Sequence, residues 1–240
     1  MFEFIQRLTE SSLLTDLAQK VEYRVLLAAG SAFVISILFG SWFIAWLGRR
    51  GMLEQTTKGD SAQLDALHGH KSNTPTMGGV IFLVAATLAT LLWAKLDSSL
   101  VLMLLGYTLA FGAIGLVDDL VKLAPGGRKG IRGKTKFFYQ CSLGLSAGCL
   151  LYWYPPAVHL ASSADPATSL SLPFFKDAAF SLGLLYIPLV AVVLAGSSNA
   201  VNLTDGLDGL AAGCSVLVGA TFVVVALLAG SSEASSLLRI

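Results

Sequence analysis

The amino-acid sequence predicts an all-α membrane protein, a polytopic bundle of transmembrane helices. Of the 240 residues, 55% are hydrophobic and only 13% are charged, and the mean hydropathy is +0.72. An ordinary soluble domain carries about 25% charged residues, so a soluble fold of this size could not solvate so much apolar surface. The apolar residues also form six runs that are long enough to cross a bilayer, which takes about 20 residues each.

Six spanning helices are predicted from these runs. Their ranges are 25–47, 77–94, 99–117, 137–154, 178–196 and 209–230. Pro188 lies inside the fifth helix and predicts a kink there. Residues 1–24 precede the bundle and predict an amphipathic interfacial helix, with a short helix packed on the bundle as the alternative. Two glycine pairs fit close helix packing, Gly144 with Gly148 and Gly209 with Gly213.

The remaining composition argues against several kinds of protein. The net charge of +1 is far from the strongly basic charge that is typical of nucleic-acid-binding proteins. The three cysteines, Cys141, Cys149 and Cys214, fall inside apolar runs, which favours ordinary packing over a disulfide framework. The first long apolar run follows Glu22 and Arg24 and has no small-residue cleavage site after it, so a removable signal peptide is not expected.

Lysine and arginine residues in the connections predict how the helices are oriented. The first, third and fifth connections together hold ten such residues, whereas the other side of the bilayer holds six. Because cytoplasmic connections carry the excess of positive charge, these three are predicted to be cytoplasmic and both chain ends to lie outside. We therefore expect a multi-pass protein of the bacterial inner membrane whose polar site is on the cytoplasmic face.

Three groups of unusual polar residues fall on this predicted cytoplasmic side. The first connection contributes His68, His70, Lys71 and Thr76, the third opens with Asp118 and Asp119, and the fifth contains Asn199, Asn202, Asp205 and Asp208. Hydropathy and charge bias alone produce this convergence. One face of the bilayer is therefore predicted to hold the functional site.

The adjacent carboxylates of Asp118 and Asp119 directly follow an apolar run. Negative charge is unfavourable at a helix C-terminus, and neighbouring carboxylates repel each other. A divalent cation would relieve both problems, and Mg²⁺ typically takes one or two carboxylates together with substrate phosphates. The pair is therefore a candidate Mg²⁺ site, and the alternative is a solvated loop start neutralised by Lys122.

A basic, glycine-rich run extends from Gly126 to Lys136. It is not a phosphate-binding P-loop, because that motif needs glycine where this run has Arg128. A flexible cationic loop that meets phosphates or lipid headgroups is one interpretation. A plain orientation signal is the other.

The fifth connection carries a polar residue at every third position, Asn202, Asp205 and Asp208. On a helix this spacing keeps the side chains on one broad side. Asp208 could instead cap the sixth helix at its N-terminus, but a cap does not explain Asn202 and Asp205.

Three ordered motifs resemble the polyprenyl-phosphate N-acetylhexosamine-1-phosphate transferases. They are Pro75-Thr-Met-Gly-Gly79, Leu116-Val-Asp-Asp119 and Asn199-Ala-Val-Asn-Leu-Thr-Asp-Gly-Leu-Asp-Gly-Leu210. Within that superfamily, the His68-x-His70-Lys71 form of the first connection is similar to the branch that transfers phospho-N-acetylmuramoyl-pentapeptide. The likeness extends over nearly the whole chain.

The resemblance implies a Mg²⁺-dependent enzyme of peptidoglycan synthesis, which moves a phospho-sugar from a uridine diphosphate sugar to undecaprenyl phosphate and releases UMP. It implies that Asp118 and Asp119 serve the metal and the attacking phosphate, and that Asp208 is also catalytic. The implied substrate-binding residues are Lys71, Thr76, Lys122, Lys134, Lys136, Asn202 and Asp205, with the choice between Lys134 and Lys136 left open. The expected partners are the nucleotide sugar, undecaprenyl phosphate, the bilayer and, in a homodimer, a second copy of the chain.

Other functions stay open at this point. An N-acetylglucosamine-1-phosphate transferase of the same superfamily would share every motif except the first connection. Family members continue with further helices, so the chain is expected to match their N-terminal six-helix part, and an inactive membrane fragment is the third alternative. A transporter is disfavoured because its ionisable residues would lie near the bilayer midplane rather than at helix ends.

Overall fold

The computed structural model describes residues 21–52, 77–124, 130–155, 168–171, 179–205 and 209–230. Within these ranges the chain forms six α-helices, and a short antiparallel hairpin separates the fourth from the fifth. The helices are α1 (Val21–Arg49), α2 (Gly79–Trp93), α3 (Ser99–Leu123), α4 (Gly133–Trp153), α5 (Tyr186–Thr204) and α6 (Leu210–Gly230). The predicted all-α membrane fold is thereby confirmed. Most of the interfacial segment predicted over residues 1–24 lies outside the described residues.

Length and apolar composition qualify three of the described helical segments as bilayer spans, Tyr23–Arg49, Ser99–Leu123 and Gly183–Thr204. Helix α2 (Gly79–Trp93) and the apolar segment Leu210–Ala226 of α6 are shorter than these three. Helix α4 has 21 residues, which is long enough to span, but a larger share of its side chains is polar than in the other described helices. The six predicted spans therefore correspond to six observed helices, of which three meet the span criteria by themselves.

Small residues form most of the buried apolar surface in the described part of the chain. Five alanines are buried between helices, Ala85, Ala89, Ala147, Ala191 and Ala195. Large apolar side chains point outward instead, and Phe33, for example, is 68% exposed. This distribution is the reverse of a soluble core and is typical of helices that pack through small residues and turn bulky ones toward lipid.

Consecutive helices pack antiparallel and are joined by hydrogen bonds between side chains. The Nε1 atom of Trp93 on α2 donates to Oγ of Ser31 on α1 over 2.9 Å. The hydroxyl groups of Tyr107 on α3 and Ser146 on α4 lie 2.9 Å apart and share a hydrogen bond. In a bilayer each such bond between helices contributes about 0.6 kcal/mol on average.

The contact between α4 and α5 is the most extensive one between two helices in the described part. Two glycines allow it: a Cβ on Gly144 would lie 2.7 Å from Cα of Ala191, and one on Gly148 would lie 2.7 Å from the carbonyl oxygen of Ile187. The close packing predicted for Gly144 and Gly148 is therefore confirmed. Their missing side chains let the backbone of α5 lie directly against α4.

The second predicted glycine pair does not pack in this way. Gly209 precedes α6 with a φ of +78°, a conformation that glycine adopts without strain. A Cβ on Gly213 would meet no described atom within 4 Å. Close packing across Gly209 and Gly213 was therefore a wrong prediction for the part of the chain that the structure describes.

Helix α5 begins later than hydropathy predicts, at Tyr186 rather than residue 178. The residues before it form strand β2 (Ala179–Ser181), which pairs antiparallel with β1 (Ser169–Ser171), and a 3₁₀ turn. Pro188 consequently lies in the first turn of α5 and not at a kink in its interior. Proline is well tolerated there, because the first N–H groups of a helix have no partner within the helix.

The antiparallel order brings the end of α3, the start of α4 and the end of α5 to one end of the bundle. Two contacts establish this, Lys136 of α4 with Asp118 of α3 and Gln140 of α4 with Asn199 of α5. The hairpin lies in the connection between α4 and α5 at the opposite end. The polar residues that the sequence places in the third and fifth connections therefore share one end of the molecule, as far as the structure describes them. They are Asp118, Asp119, Asn199, Asn202 and Asp205.

Candidate active site

Asp118 and Asp119 lie in the last turns of α3, which continues to Leu123. Hydropathy ends this helix at residue 117 and places the pair in the following connection, and the structure corrects that boundary. Lys122, one turn further on, explains the difference. Its Nζ atom lies 2.9 Å from Oδ2 of Asp118 and 3.0 Å from Oδ1 of Asp119. The ammonium compensates both carboxylates and also suits the negative end of the helix dipole, so the helix can continue through them.

Asp118 is the more buried of the two carboxylates, with 8% of the residue exposed. Its Oδ1 atom accepts a hydrogen bond of 2.8 Å from the backbone N–H of Ile131. Its Oδ2 atom faces the ammonium groups of Lys122 and Lys136. Because both oxygens have partners, the side chain is held in one orientation and its negative charge is balanced despite the burial.

Gly130 shapes the backbone that reaches Asp118. Its φ is +66°, in the left-handed region that side chains other than glycine rarely adopt. A Cβ at this position would lie 2.5 Å from Oδ1 of Asp118 and 3.0 Å from Cε of Lys122. Glycine is therefore required here both for the turn and for the close approach of the loop to the carboxylate.

Lys134 and Lys136, between which the sequence leaves the choice open, have different surroundings in the structure. Lys136 has 17% of its side chain exposed, and its Nζ atom lies 3.8 Å from Oδ2 of Asp118. Lys134 is exposed to the surroundings. Both lie in the first turn of α4, which begins at Gly133 rather than at residue 137 as predicted. Two ammonium groups thus face the acidic pair from two different helices.

A polar contact between α4 and α5 continues from this cluster. Gln140, one turn after Lys136 on α4, is only 1% exposed. Its Nε2 atom donates to Oγ of Ser198 over 3.0 Å, and its Oε1 atom accepts from Nδ2 of Asn199 over 2.8 Å. The same Asn199 nitrogen donates to the carbonyl oxygen of Ala195 over 2.8 Å. Both hydrogens of that amide are thereby used.

The structure corrects the location of the polar residues assigned to the fifth connection. Asn199 and Asn202 lie inside α5, which runs to Thr204, and Asp205 follows as its C-cap. Asn199 faces α4, whereas Asn202 and Asp205 are exposed at the same end of the bundle as the acidic pair. Three further candidate residues, Lys71, Thr76 and Asp208, lie outside the described residues.

Sequence reasoning did not identify Gly130, Ile131, Gln140 or Ser198 as parts of this region. For Gln140 a signal was present, since it is an amide in an apolar run, four and eight residues before the packing glycines Gly144 and Gly148. For Gly130 and Ile131 the sequence offers only a glycine-rich loop. The contact with Asp118 depends on how α3 and α4 pack, which no local pattern encodes.

The acidic pair fits the donor set of a divalent cation. One oxygen of Asp118 and one of Asp119 already converge on a single cationic atom, the Nζ of Lys122, at 2.9 Å and 3.0 Å. Among the described residues no group of three or more His, Cys, Asp or Glu side chains is close enough to hold a metal alone. Two carboxylates without a complete protein cage match the way Mg²⁺ is usually bound, with the other positions left for substrate phosphates and water.

The whole arrangement is suited to a substrate that carries several phosphates. The carboxylates can hold a cation that neutralises phosphate oxygens, and Lys122 and Lys136 supply positive charge beside it. Exposed residues at the end of α5, Asn202 and Asp205, offer hydrogen-bonding groups at the same end. Fold and site together define a multi-pass membrane protein with a charged, phosphate-compatible site at one end of its helical bundle.

Comparisons with known proteins identify the family. A sequence model of glycosyl transferase family 4 matches residues 100–239, more than half of the chain. The chain therefore belongs to glycosyl transferase family 4. Residues 71–83 match signature 1 of phospho-N-acetylmuramoyl-pentapeptide-transferase. A protein of that name from Desulforapulum autotrophicum is 35% identical over 240 residues, which is 100% of this chain and 63% of the relative. The chain thus spans less than two thirds of the relative's length.

Proposed function

We propose that the protein transfers phospho-N-acetylmuramoyl-pentapeptide from its uridine diphosphate derivative to undecaprenyl phosphate, giving lipid I and UMP in peptidoglycan synthesis. The observation that carries this proposal is the cluster of Asp118, Asp119, Lys122 and Lys136 at one end of a membrane-embedded bundle. The family match and the similarity to a phospho-N-acetylmuramoyl-pentapeptide-transferase support the proposed reaction class and the proposed sugar. A charged site at the end of a bilayer helix suits a reaction between a water-soluble and a lipid-borne phosphate.

The reaction exchanges one phosphoanhydride (P–O–P) linkage for another. An oxygen of the lipid phosphate forms a bond to the phosphorus that bears the sugar, and the bond from that phosphorus to UMP breaks. UMP leaves with the electron pair of the broken bond. Such transfers need little covalent help from a protein, because positioning and charge stabilisation supply most of the catalysis.

In this mechanism Asp118 and Asp119 would hold Mg²⁺, and Asp118 is kept in place by the N–H of Ile131. When bound, Mg²⁺ supplies positive charge that stabilises the phosphate oxygens during transfer. Lys122 orients the two carboxylates and adds a positive charge beside them. We place the lipid phosphate and the diphosphate next to this group, within reach of Lys136.

The nucleotide side of the substrate is assigned to the end of α5. Asn202 and Asp205 are exposed there and can hydrogen-bond the ligand. We add Asp208, the third polar residue at this spacing, as a catalytic residue. From the first connection, Lys71 and Thr76 are assigned to the anionic substrate. Between the two lysines of α4, the ion pair with Asp118 favours Lys136 for the phosphates, and Lys134 is assigned an outer contact.

The proposed location is the bacterial inner membrane with the site on the cytoplasmic face. The excess of lysine and arginine in the connections at this end supports that orientation. A nucleotide sugar is a cytoplasmic substrate class, which suits the same face. Assembly as a homodimer stays a prediction.

The test is a transfer assay on the purified protein in detergent with undecaprenyl phosphate and Mg²⁺. Two nucleotide sugars are compared, the UDP derivative of N-acetylmuramoyl-pentapeptide and UDP-N-acetylglucosamine. We expect UMP release and a lipid-linked product with the first substrate only. Transfer of N-acetylglucosamine phosphate alone would replace this proposal by the sister activity. Release of no UMP from either substrate would contradict a transferase.

A further inference from the structure

We infer that Gln140 is a positioning residue, which fixes the register between α4 and α5 so that the lysines of α4 and the polar end of α5 face the same substrate. This inference deepens the proposed function and rests on it. The hydrogen bonds described for the Gln140 side chain go to Ser198 and Asn199, and none joins it to the acidic pair or to a side chain assigned to the substrate. Its effect would therefore be transmitted through the two helices that it joins.

Burial of the Gln140 side chain is costly unless its amide is hydrogen-bonded. Gln140 is 1% exposed and lies in a helix otherwise packed through Gly144, Ala147 and Gly148. A buried amide must have hydrogen-bond partners, and it finds them on the neighbouring helix, at Ser198 and Asn199. An apolar residue would fill the same space without that requirement, so packing alone does not explain a glutamine here.

The glycine contacts do not by themselves fix the register between α4 and α5. Gly144 and Gly148 let α5 approach closely at Ala191 and Ile187, but smooth contacts between small residues permit sliding and rotation. A hydrogen-bonded polar pair is satisfied in one register only, which is the best-documented use of buried polar groups between helices. Gln140 therefore supplies the directional contact that the small residues lack.

Gln140 lies between two parts of the candidate site, the lysine of α4 that reaches Asp118 and the polar end of α5. Four residues before it, Lys136 reaches Asp118 of α3. Its partner Asn199 lies three and six residues before Asn202 and Asp205, at the end of α5. A shift of α5 by a fraction of a turn would move those two side chains relative to the acidic pair. An error of about 1 Å in substrate position can cost on the order of 10²-fold in rate.

The experiment compares Gln140→Leu, Gln140→Asn and the double variant Gln140→Asn with Asn199→Gln, which moves one methylene group across the contact. The matched control is Tyr107→Phe, because it removes another hydrogen bond between helices, at Ser146, away from the site. Melting temperature, kcat and nucleotide KM are measured for each purified protein with the pentapeptide nucleotide sugar. We expect kcat/KM to fall about 10-fold to 10²-fold in both single variants at position 140, with partial recovery in the double variant. Tyr107→Phe should keep kcat and KM near the wild-type values.

A second measurement needs no activity. Nitroxide labels at Phe138 and Leu203, which are 66% and 82% exposed, report the α4–α5 distance after the three free cysteines have been replaced. The distance distribution should broaden or shift in Gln140→Leu and stay narrow in Tyr107→Phe. Unchanged distances together with unchanged kcat and KM in both single variants would overturn the inference, even if their melting temperatures fell. A wild-type protein without transferase activity would contradict the proposed function but not the structural role of Gln140. In that case an unchanged α4–α5 distance in Gln140→Leu would show that Gln140 does not fix the register between the two helices.

Discussion

The ammonium nitrogen of Lys122 lies 2.9 Å from Oδ2 of Asp118, one turn earlier on the same helix. The same nitrogen lies 3.0 Å from Asp119, so one lysine compensates two adjacent carboxylates at the end of α3. From the sequence alone, neutralisation by Lys122 is the alternative to a metal site at this pair. The two interpretations are compatible, because the position between the two carboxylates that attracts the Lys122 ammonium is also suited to a divalent cation.

Replacing Lys122 tests whether this compensation matters for catalysis. Lys122→Met keeps most of the side-chain length but leaves two neighbouring carboxylates that repel each other. We expect kcat/KM to fall on the order of 10²-fold, which is typical when a key electrostatic group is removed. The assay is UMP release by the purified variant, with Arg132→Met as the control because Arg132 is exposed and we expect its charge to serve only the orientation of the chain in the membrane. Similar rates in the two variants would reduce Lys122 to a surface charge.

Gly130 provides a test of the loop that reaches Asp118. Gly130→Ala forces a side chain into a left-handed backbone, at a cost of roughly 1–2 kcal/mol, and sets it 2.5 Å from Oδ1 of Asp118. We expect a lower melting temperature and a lower kcat, because the carboxylate must move. The control is Gly133→Ala, since a Cβ there would meet no described atom within 4 Å. If the two alanine variants behaved alike, the loop would not constrain the carboxylate.

The helices of this protein could be predicted from the sequence, whereas several of their ends could not. Hydropathy found all six described helices because a bilayer span needs a long apolar run, and such runs are visible without any tertiary information. It ended α3 before Asp118, since it counts charges and does not see that Lys122 neutralises them. It also extended α5 back over the strand Ala179–Ser181, which is short and apolar enough to pass for helix.

The candidate site was predictable as a set of residues but not as a set of contacts. Asp118 and Asp119 could be selected because adjacent charges after an apolar run are unusual. Their link to the backbone of Ile131 depends on how α3 packs against α4, and local patterns carry no information about that. Asn199 shows the same limit, because its motif suggested a loop while its side chain is bonded within the bundle to Gln140.

The two lysines of α4 should differ in their effect on activity. Lys136 faces Asp118 and is mostly covered, whereas Lys134 is exposed. Lys136→Ala should therefore lower kcat, and Lys134→Ala should mainly raise the nucleotide KM by a smaller factor. Steady-state kinetics on both variants decides this, with Lys129→Ala as the reference, because we expect Lys129 only to orient the chain in the membrane. Equal, mild effects at all three positions would mean that the basic run has no contact with substrate.

The predicted orientation can be tested by labelling from each side of the membrane. Single cysteines replace Ser61, Arg128 and Ser163 in a background without the native cysteines, and a reagent that does not cross the bilayer is added. The distribution of lysine and arginine predicts that the first two positions react only from the cytoplasm and Ser163→Cys only from outside. The reverse pattern would place the charged end of the bundle on the outer face, where a nucleotide sugar is not supplied.

The acidic pair itself provides the most direct test of the proposed metal site. Asp118→Asn and Asp119→Asn each remove one charge and keep nearly the same size, and at position 118 the amide oxygen can still accept from the N–H of Ile131. If the carboxylates hold Mg²⁺ against the diphosphate, the loss should fall on kcat, on the order of 10²–10³-fold. Protein yield in detergent should stay close to normal.

The Mg²⁺ dependence of these two variants separates a metal ligand from a base that acts on the lipid phosphate. A variant that only weakens metal affinity should recover part of its activity in excess Mg²⁺, whereas loss of a base should not be rescued. Binding of Mn²⁺, followed by electron paramagnetic resonance without substrate turnover, should weaken in the same variants. Asp97→Asn is the matched control, because Asp97 is an exposed carboxylate between α2 and α3 at the opposite end of the bundle. Wild-type turnover of both acidic-pair variants at limiting Mg²⁺ would contradict the assignment and leave Asp118 and Asp119 as carboxylates that lysines neutralise.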